Sequence, residues 1–298
     1  MPKRAERHFA GPKDLALAAI ARGLFSNKNQ NGRIAIVGGS SEFHGAPALA
    51  SLSAYQTLGA LRVGIGYATT YVPKSVLHDV RAVSPNLIVK SLSGNEISSF
   101  DLPLLKKALS KVDSVVMGPG LGRKKGSLVA ISRLAKLLIN SDKRAVIDAD
   151  AISSVAKMRL SKNFAITPNQ KEFSLFYKKE IGDDLGKRAY AAIVVAKKIN
   201  ANVVLKGHEM IVTDGIRIKI VKSKSAALAT MGTGDVLSGL IGGYAALNSD
   251  MFVASVAGAY LHALIGDRLN SRMGNHILAT DVIAEIPKAI KEFDKKGK

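Results

Sequence analysis

The chain has no cysteine and no tryptophan among its 298 residues. Without cysteine there is no disulfide framework and no thiolate metal site. Aromatic residues make up only 5%, too few for a row of base-stacking platforms on single-stranded nucleic acid. A long uninterrupted apolar run is also missing. The most apolar stretch, Val236 to Leu264, is broken by Ser238, Asn248, Ser249, Asp250, Ser255 and His262, which reads as buried helices and not as a membrane span. The start "MPKRAERHFAGPKD" is basic with no apolar segment behind it, unlike a secretory leader. These absences lead to the expectation of a cytoplasmic protein with no membrane partner.

Acidic residues are also scarce. Against 43 Lys+Arg stand 23 Asp+Glu, a formal net charge of +20. A basic surface can bind nucleic acid through its phosphates, or raise the encounter rate of small polyanions. With so few aromatics, and with lysines spread along the chain, the second reading is preferred. No nucleic-acid partner is expected. A hydrophobic share of 47% and a charged share of 22% belong to a globular chain.

Short β-branched runs alternate with longer helical patterns. Strands are expected at Arg33–Val37, Gly64–Tyr71, Leu87–Lys90, Ser114–Met117, Ala145–Asp148, Ala165–Thr167 and Val203–Lys206. Helices are expected at Pro47–Leu61, Leu102–Lys111, Leu128–Ile139 and Leu185–Ile199. This rhythm predicts βαβ units and a mostly parallel sheet. Met210 to Val221 departs from it, with two short strands around Asp214-Gly215, a hairpin signal. The last third reads as helices over Asp235–Ala246, Phe252–Arg268 and Thr280–Phe293, the last capped by Thr280. No linker or internal repeat divides the chain, so one domain over 1–298 is expected, with a loose N-terminal arm over 1–12.

Ligands of parallel α/β sheets bind beyond the carboxyl ends of the strands. Five of the expected strand ends carry glycine or polar clusters: "GGSSEFHGAP" from Gly38, "GPGLGR" from Gly118, "ADAI" after Asp148, "PNQKEF" after Thr167, and "KGHEM" around Lys206. Each has a plain alternative. Gly38-Gly39 serves equally as a simple turn. Asp148 and Asp150 either cap the next helix or hold magnesium through water, and no metal ligand is assigned. Lys206 is either a solvated strand end or a partner for phosphate. His262 reads as a core residue, while His44 and His208 fall in the candidate loops. The P-loop pattern is absent, "GDDLGKR" at Gly182–Arg188 having the wrong spacing, and no G-x-G-x-x-G follows a strand.

Gly232-Thr233-Gly234-Asp235 combines a glycine turn with an acid at the mouth of a helix. Small residues let backbone N–H groups converge on an anion, and the helix N-terminus adds positive potential. That potential predicts a low pKa for Asp235. In phosphoryl transfer such an acid orients the hydroxyl and accepts its proton late, while the glycine amides offset charge on the moving group. The alternative is an ordinary N-cap aspartate.

These segments together resemble the ADP/ATP-dependent NAD(P)H-hydrate dehydratases of the ribokinase-like superfamily. The resemblance runs from about Gly32 to the C-terminus. "VGGSSEFHGAPALASLSAYQTLGALRVG" and "GPGLGR" carry it most specifically; "VIDADAI", "TPNQKEFS", "VLKGHEMIV" and "MGTGDVLSGLIGG" extend it. It implies a three-layer α/β/α sandwich and a nicotinamide-nucleotide repair activity. The S epimer of hydrated NADH or NADPH would be phosphorylated on its ring hydroxyl by ADP or ATP with Mg²⁺, and then lose phosphate. By the same analogy Asp235 would act on the hydroxyl. Ala46, Gly122, Asn169 and Glu172 would line the hydrate with it. Lys206, Gly207, His208, Glu209 and Met210 would line the nucleotide, and Thr233 and Gly234 would cradle the transferred phosphate. The resemblance further implies a separate NAD(P)H-hydrate epimerase, no epimerase domain here, and a homo-oligomer, with a tetramer as one form. The alternative within the superfamily is a kinase acting on a thiazole or pyrimidine alcohol. A basic nucleic-acid-binding protein is the remaining alternative.

Overall fold

A computed structural model describes residues 9–18, 32–60, 68–248 and 250–293. Nine strands form one sheet in the order β3-β2-β1-β4-β5-β6-β7-β8-β9. They are β1 (Ile34–Val37), β2 (Ala68–Val72), β3 (Ile88–Ser91), β4 (Ser114–Met117), β5 (Arg144–Ile147), β6 (Phe164–Ile166), β7 (Asn202–Leu205), β8 (Glu209–Thr213) and β9 (Ile218–Lys222). The first seven are parallel. β8 pairs antiparallel to β7, and β9 antiparallel to β8. The hairpin expected at Asp214-Gly215 is there: Asp214 Oδ1 accepts from the backbone N–H of Ile216 at 2.8 Å and of Arg217 at 2.6 Å, and Gly215 takes the positive φ that the turn requires.

Alternation along the strands sorts the core into two layers. Ile34, Ile36, Val116, Val146 and Val204 face one side; Ala35, Val37, Val115, Met117, Ile147 and Val203 face the other. Successive side chains of a strand point to opposite faces, so both faces of these short apolar runs demand cover. On the first side lie α1 (Pro12–Ala18), α2 (Gly45–Ala60), α9 (Thr233–Leu247), α10 (Met251–Met273) and α11 (Ala279–Lys291). On the second lie α4 (Leu102–Leu109), α5 (Lys125–Ile139), α6 (Ala151–Val155), α7 (Gln170–Tyr177) and α8 (Leu185–Ile199). The short α3 (Leu77–Ala82) joins Ala48 of α2 and Val89 of β3 in a small satellite cluster. The expected three-layer α/β/α arrangement is therefore observed.

Several expectations shift. Residues 64–67 of the expected second strand lie outside the described residues, as do residues 1–8 of the N-terminal arm. Residues 9–12 of that arm are tied down: Phe9 bridges Ile220, the Ala10 N–H donates to Ile220 O at 2.9 Å, and Asp14 pairs with Lys219 at 2.9 Å. Thr280 is not a cap. Leu278 holds that position, and Asp281 reaches back to accept from its N–H at 2.8 Å. Among the described residues no helix is long and apolar enough to cross a membrane.

The apolar helix α9 lies where α2 and the sheet crowd it most closely. A Cβ at Gly239 would strike the Ala50 carbonyl of α2, and one at Gly242 would strike Val116 of the sheet. The Ser53 hydroxyl donates to Val236 O at 2.7 Å, fixing the first turn of α9 against α2. Gly239→Val should therefore destabilise the protein by about 2–3 kcal/mol, an overpacking cost against rigid backbone, read by chemical denaturation. Unchanged stability would contradict this close approach.

Candidate active site

At the carboxyl ends of the strands, two glycine loops cross. The Gly39 N–H donates to Pro119 O at 2.8 Å, and the Gly118 N–H to Val37 O at 3.0 Å. A side chain at Gly38 would strike Pro119 O, one at Gly118 would strike Asp148 O, and one at Gly120 would strike Phe43 O. The loops after β1, β4 and β5 thus close on one another, which only glycine permits. Ala46 sits in the first turn of α2 beside Gly120, and Gly122 lies against Ser40.

Beside this crossing lies a charged cluster. Asp148, at the end of β5, accepts on Oδ1 from Thr167 Oγ1 at 2.6 Å and from Lys206 Nζ at 3.0 Å. The side chain of Asp148 is 2% exposed and that of Lys206 23%. Lys206 is therefore a paired, largely enclosed ammonium and not a solvated strand end. Burial pulls it down, yet Asp148, Glu172 and Asp235 together hold it above the ordinary lysine range. Between Asp148 and Asp150, Ala149 takes φ +50°, a left-handed conformation that costs a non-glycine residue of order 1 kcal/mol or more. Asp150 makes no side-chain cap to α6 and pairs instead with Arg123 at 2.8 Å.

Asp235 stands at the third position of α9, with Gly232 as the N-cap at φ +87°. That φ favours glycine, and a Cβ there would also displace the Leu49 side chain, whose Cδ1 lies 2.7 Å away. Helix geometry leaves the amides of Gly234 and Asp235 without intrahelical acceptors. A Cβ on Gly234 would stand 3.5 Å from Lys206 Nζ, so these donors and the ammonium share one region. The expected low pKa of Asp235 is overturned. Burial and the neighbouring Asp148 push its carboxyl up to about 7, against the opposing pull of Lys206. Loss of hydration outweighs the helix N-terminus.

The other expected residues divide. Asn169 and Glu172 form a capping box on α7: Asn169 Oδ1 accepts from the Glu172 N–H, and Glu172 Oε2 from the Asn169 N–H, each at 2.9 Å. Glu172 still belongs to the cluster electrostatically, since burial raises its pKa against the opposing charge of Lys206. Thr233 turns inward, its hydroxyl 2.6 Å from Leu228 O and 2.7 Å from Thr230 O; its side chain shapes the turn instead of facing an anion. Met210 is buried in the core, Glu209 lies 3.8 Å from Lys222 on β8–β9, and Gly207 and His208 are exposed. His44 is exposed as well.

Sequence reasoning missed four contributors. Thr167 fixes Asp148. Arg188, 6% exposed, donates from Nη2 to Lys206 O at 3.2 Å and fills the space beside Gly207. His262 was expected to be a satisfied core residue. Its Nε2 donates to Thr233 O at 3.0 Å, while Nδ1 has no partner among the described residues. Burial holds its ring neutral, with a pKa near 4, so it pins the start of α9 without adding charge. Ala149 carries strain at a position with no glycine to mark it. Only Arg188 left a sequence signal, as a basic residue on an otherwise apolar helix face.

Among the described residues no three His, Asp or Glu side chains converge as a metal-ligand set. Asp148 is engaged by Lys206 and Thr167, and Asp150 by Arg123. Magnesium is commonly held by one or two carboxylates plus substrate phosphates and water. The residues here do not build a resident magnesium cage, and the ion would enter with a nucleotide's phosphates.

The raised pKa has a stability consequence. An Asp with a folded pKa near 7 and an unfolded value near 3.8 binds more protons folded than unfolded between those values. Stability contributed by this group therefore falls as pH rises from about 4 to 7. Asp235→Asn removes that cost, so its melting temperature should exceed wild type, and by more at pH 8 than at pH 5. A difference independent of pH would contradict the shift.

A family profile described as NAD(P)H-hydrate dehydratase matches residues 34–288. The ADP-dependent (S)-NAD(P)H-hydrate dehydratase of Nitrosopumilus maritimus is 34% identical over 272 residues, covering 91% of this chain and 92% of that protein. The bifunctional NAD(P)H-hydrate repair enzyme Nnr of Pyrobaculum aerophilum is 32% identical over 98% of this chain, which spans only 57% of that longer protein. The structure of the ADP/ATP-dependent NAD(P)H-hydrate dehydratase of Bacillus subtilis, co-crystallised with ATP/Mg²⁺, superimposes with a TM-score of 0.78 at 21% identity, covering 96% of this chain and 98% of that one. With the GGS…GAP and GPGLG loops crossed at the sheet's end beside Asp235, the chain belongs to the NAD(P)H-hydrate dehydratase family.

Proposed function

We propose that this chain dehydrates the S epimer of hydrated NADH or NADPH at the expense of ADP or ATP. The observation that carries the reading is Asp235 itself: a partly enclosed carboxyl beside Lys206, behind two unengaged helix amides, with a pKa near 7. A base is most effective when its pKa lies near the working pH. The relatives named above support the substrate class.

In the first step the ring hydroxyl oxygen of the hydrate bonds to the terminal phosphorus of the nucleotide, and the bond from that phosphorus to the nucleotide's bridging oxygen breaks. Asp235 takes the hydroxyl proton. The amides of Gly234 and Asp235 and the Lys206 ammonium offset charge on the moving phosphoryl group. Magnesium, when bound with the nucleotide, neutralises phosphate charge. In the second step phosphate leaves with the carbon–oxygen electron pair, the adjacent ring carbon gives its proton to water, and the C–H electron pair becomes the ring double bond of the reduced nicotinamide. Asp148, held by Thr167, keeps Lys206 aligned and keeps Asp235 basic. The hydrate would lie along Ala46, Gly122 and the Asn169–Glu172 turn, and the nucleotide along Lys206 to Met210. We further propose that it acts in the cytoplasm as a homo-oligomer, on hydrate supplied by epimerisation.

Incubation with hydrated NADH and either ADP or ATP should restore the near-ultraviolet absorbance of reduced nicotinamide. Asp235→Asn should lower turnover roughly 10²-fold or more with nucleotide binding kept. No absorbance return, or a stable phosphorylated product, would contradict the dehydratase and leave a kinase.

The pH profile tests the base separately. Activity should fall as pH drops through about 7, the value of Asp235. Lys206→Met removes the charge that lowers this pKa, so its remaining activity should show the acidic limb at higher pH. A limb near pH 4, or one that Lys206→Met leaves in place, would show that another group titrates.

A further inference from the structure

A second cavity lies on the opposite face of the sheet's β3 edge. Both crossovers at this edge, β1 to β2 through α2 and β2 to β3 through α3, pack on the same side of the sheet. Among the described residues, the helix bordering the other face of β2 and β3 is α4. There a cavity of about 520 Å³ is bounded by Thr69 and Tyr71 of β2, Lys90 of β3, and Leu104 and Lys107 of α4. That volume is within the range of small-molecule sites. Register places Lys90 beside Tyr71. Ile88, two residues earlier on the same face, is 42% exposed, and Leu104 is 46% exposed. An apolar floor is thus open to solvent where a βαβ sheet is normally covered.

Its rim is cationic. Arg33, Lys90, Lys107 and Lys111 all border it, and none pairs with a carboxylate among the described residues. Among the described residues, the Arg33 guanidinium meets the Lys111 carbonyl at 3.4 Å; the nearby Asp113 carboxylate accepts from the Arg33 backbone N–H at 2.8 Å. Lys107 stands in the last turn of α4 and Lys111 follows two residues past its end; both border the cavity, and like charges brought together repel. An anion between them relieves that repulsion. A two-fold contact with a second copy would instead press the same four cations together.

We propose that this cavity binds a small phosphorylated molecule with an apolar or aromatic body, phosphate on the Arg33–Lys107–Lys111 rim and body over Tyr71 and Leu104. The cavity shares no residue with the Asp235 site. β2 and β7 are five strand spacings apart, about 24 Å at ~4.8 Å each, so both can be filled at once.

The test is calorimetric titration of the full chain, saturated with ADP to fill the catalytic end, using phenyl phosphate and inorganic phosphate as probes. Phenyl phosphate should bind one site, at least about 5-fold tighter than inorganic phosphate. Lys107→Glu/Lys111→Glu, two exposed positions, should weaken it about 10-fold or more while hydrate turnover without phenyl phosphate stays unchanged. Equal affinity in wild type and variant, equal affinity for the two probes, or no binding would overturn the proposal. So would a change of subunit number in the variant, which would make this face a contact between copies. Because binding is read directly, a failure of the dehydratase reading leaves this result intact.

Discussion

Lys206 forms one ion pair, with Asp148 at 3.0 Å, and its field also reaches Asp235 and Glu172. Three carboxyls around one ammonium in a partly dry site cannot all be comfortably ionised. Asp235 is largely enclosed, stands near Asp148 and has no side-chain hydrogen-bond partner among the described residues, so burial raises its carboxyl up to about 7. Its near-neutral pKa follows first from burial and then from the fixed charge of Asp148, against the pull of Lys206. Thr167 fixes Asp148, Arg188 fixes the backbone after Lys206, and His262 fixes the start of α9.

The fold supplies these anchors from separate elements. Asp148 follows β5, Thr167 follows β6, Lys206 follows β7, and Asp235 rides on α9, which reaches the site only because glycines let it press against α2 and β4. The crossing of the Gly38–Gly39 and Gly118–Gly120 loops closes the other wall. A local change in packing at Gly239 or Gly242 therefore reaches the site through the position of α9, without touching any charged group.

Much of this was legible before the structure. The short apolar strands and their glycine-rich ends marked the sheet and the end of it that matters, because both follow from local backbone demands. Asp235 was legible as a residue, but its ionisation was not. Spacing shows a helix N-terminus, which lowers an acid's pKa; it does not show Asp148, 87 residues away in the chain, brought alongside by the sheet. The same limit hid the role of Thr167, which bonds across strands to Asp148, and the partner of Arg188, the Lys206 carbonyl beyond β7. The two inward carbonyls that the Thr233 hydroxyl meets are likewise not visible from spacing. Thr280 was displaced as a cap because Asp281, one residue on, reaches the Leu278 amide.

The most direct measurement is the titration of Asp235 itself, by carbon NMR of aspartate-labelled protein without nucleotide, with Asp235→Asn identifying the resonance. The account predicts a midpoint near 7. A midpoint near 4, the ordinary aspartate value, would contradict it.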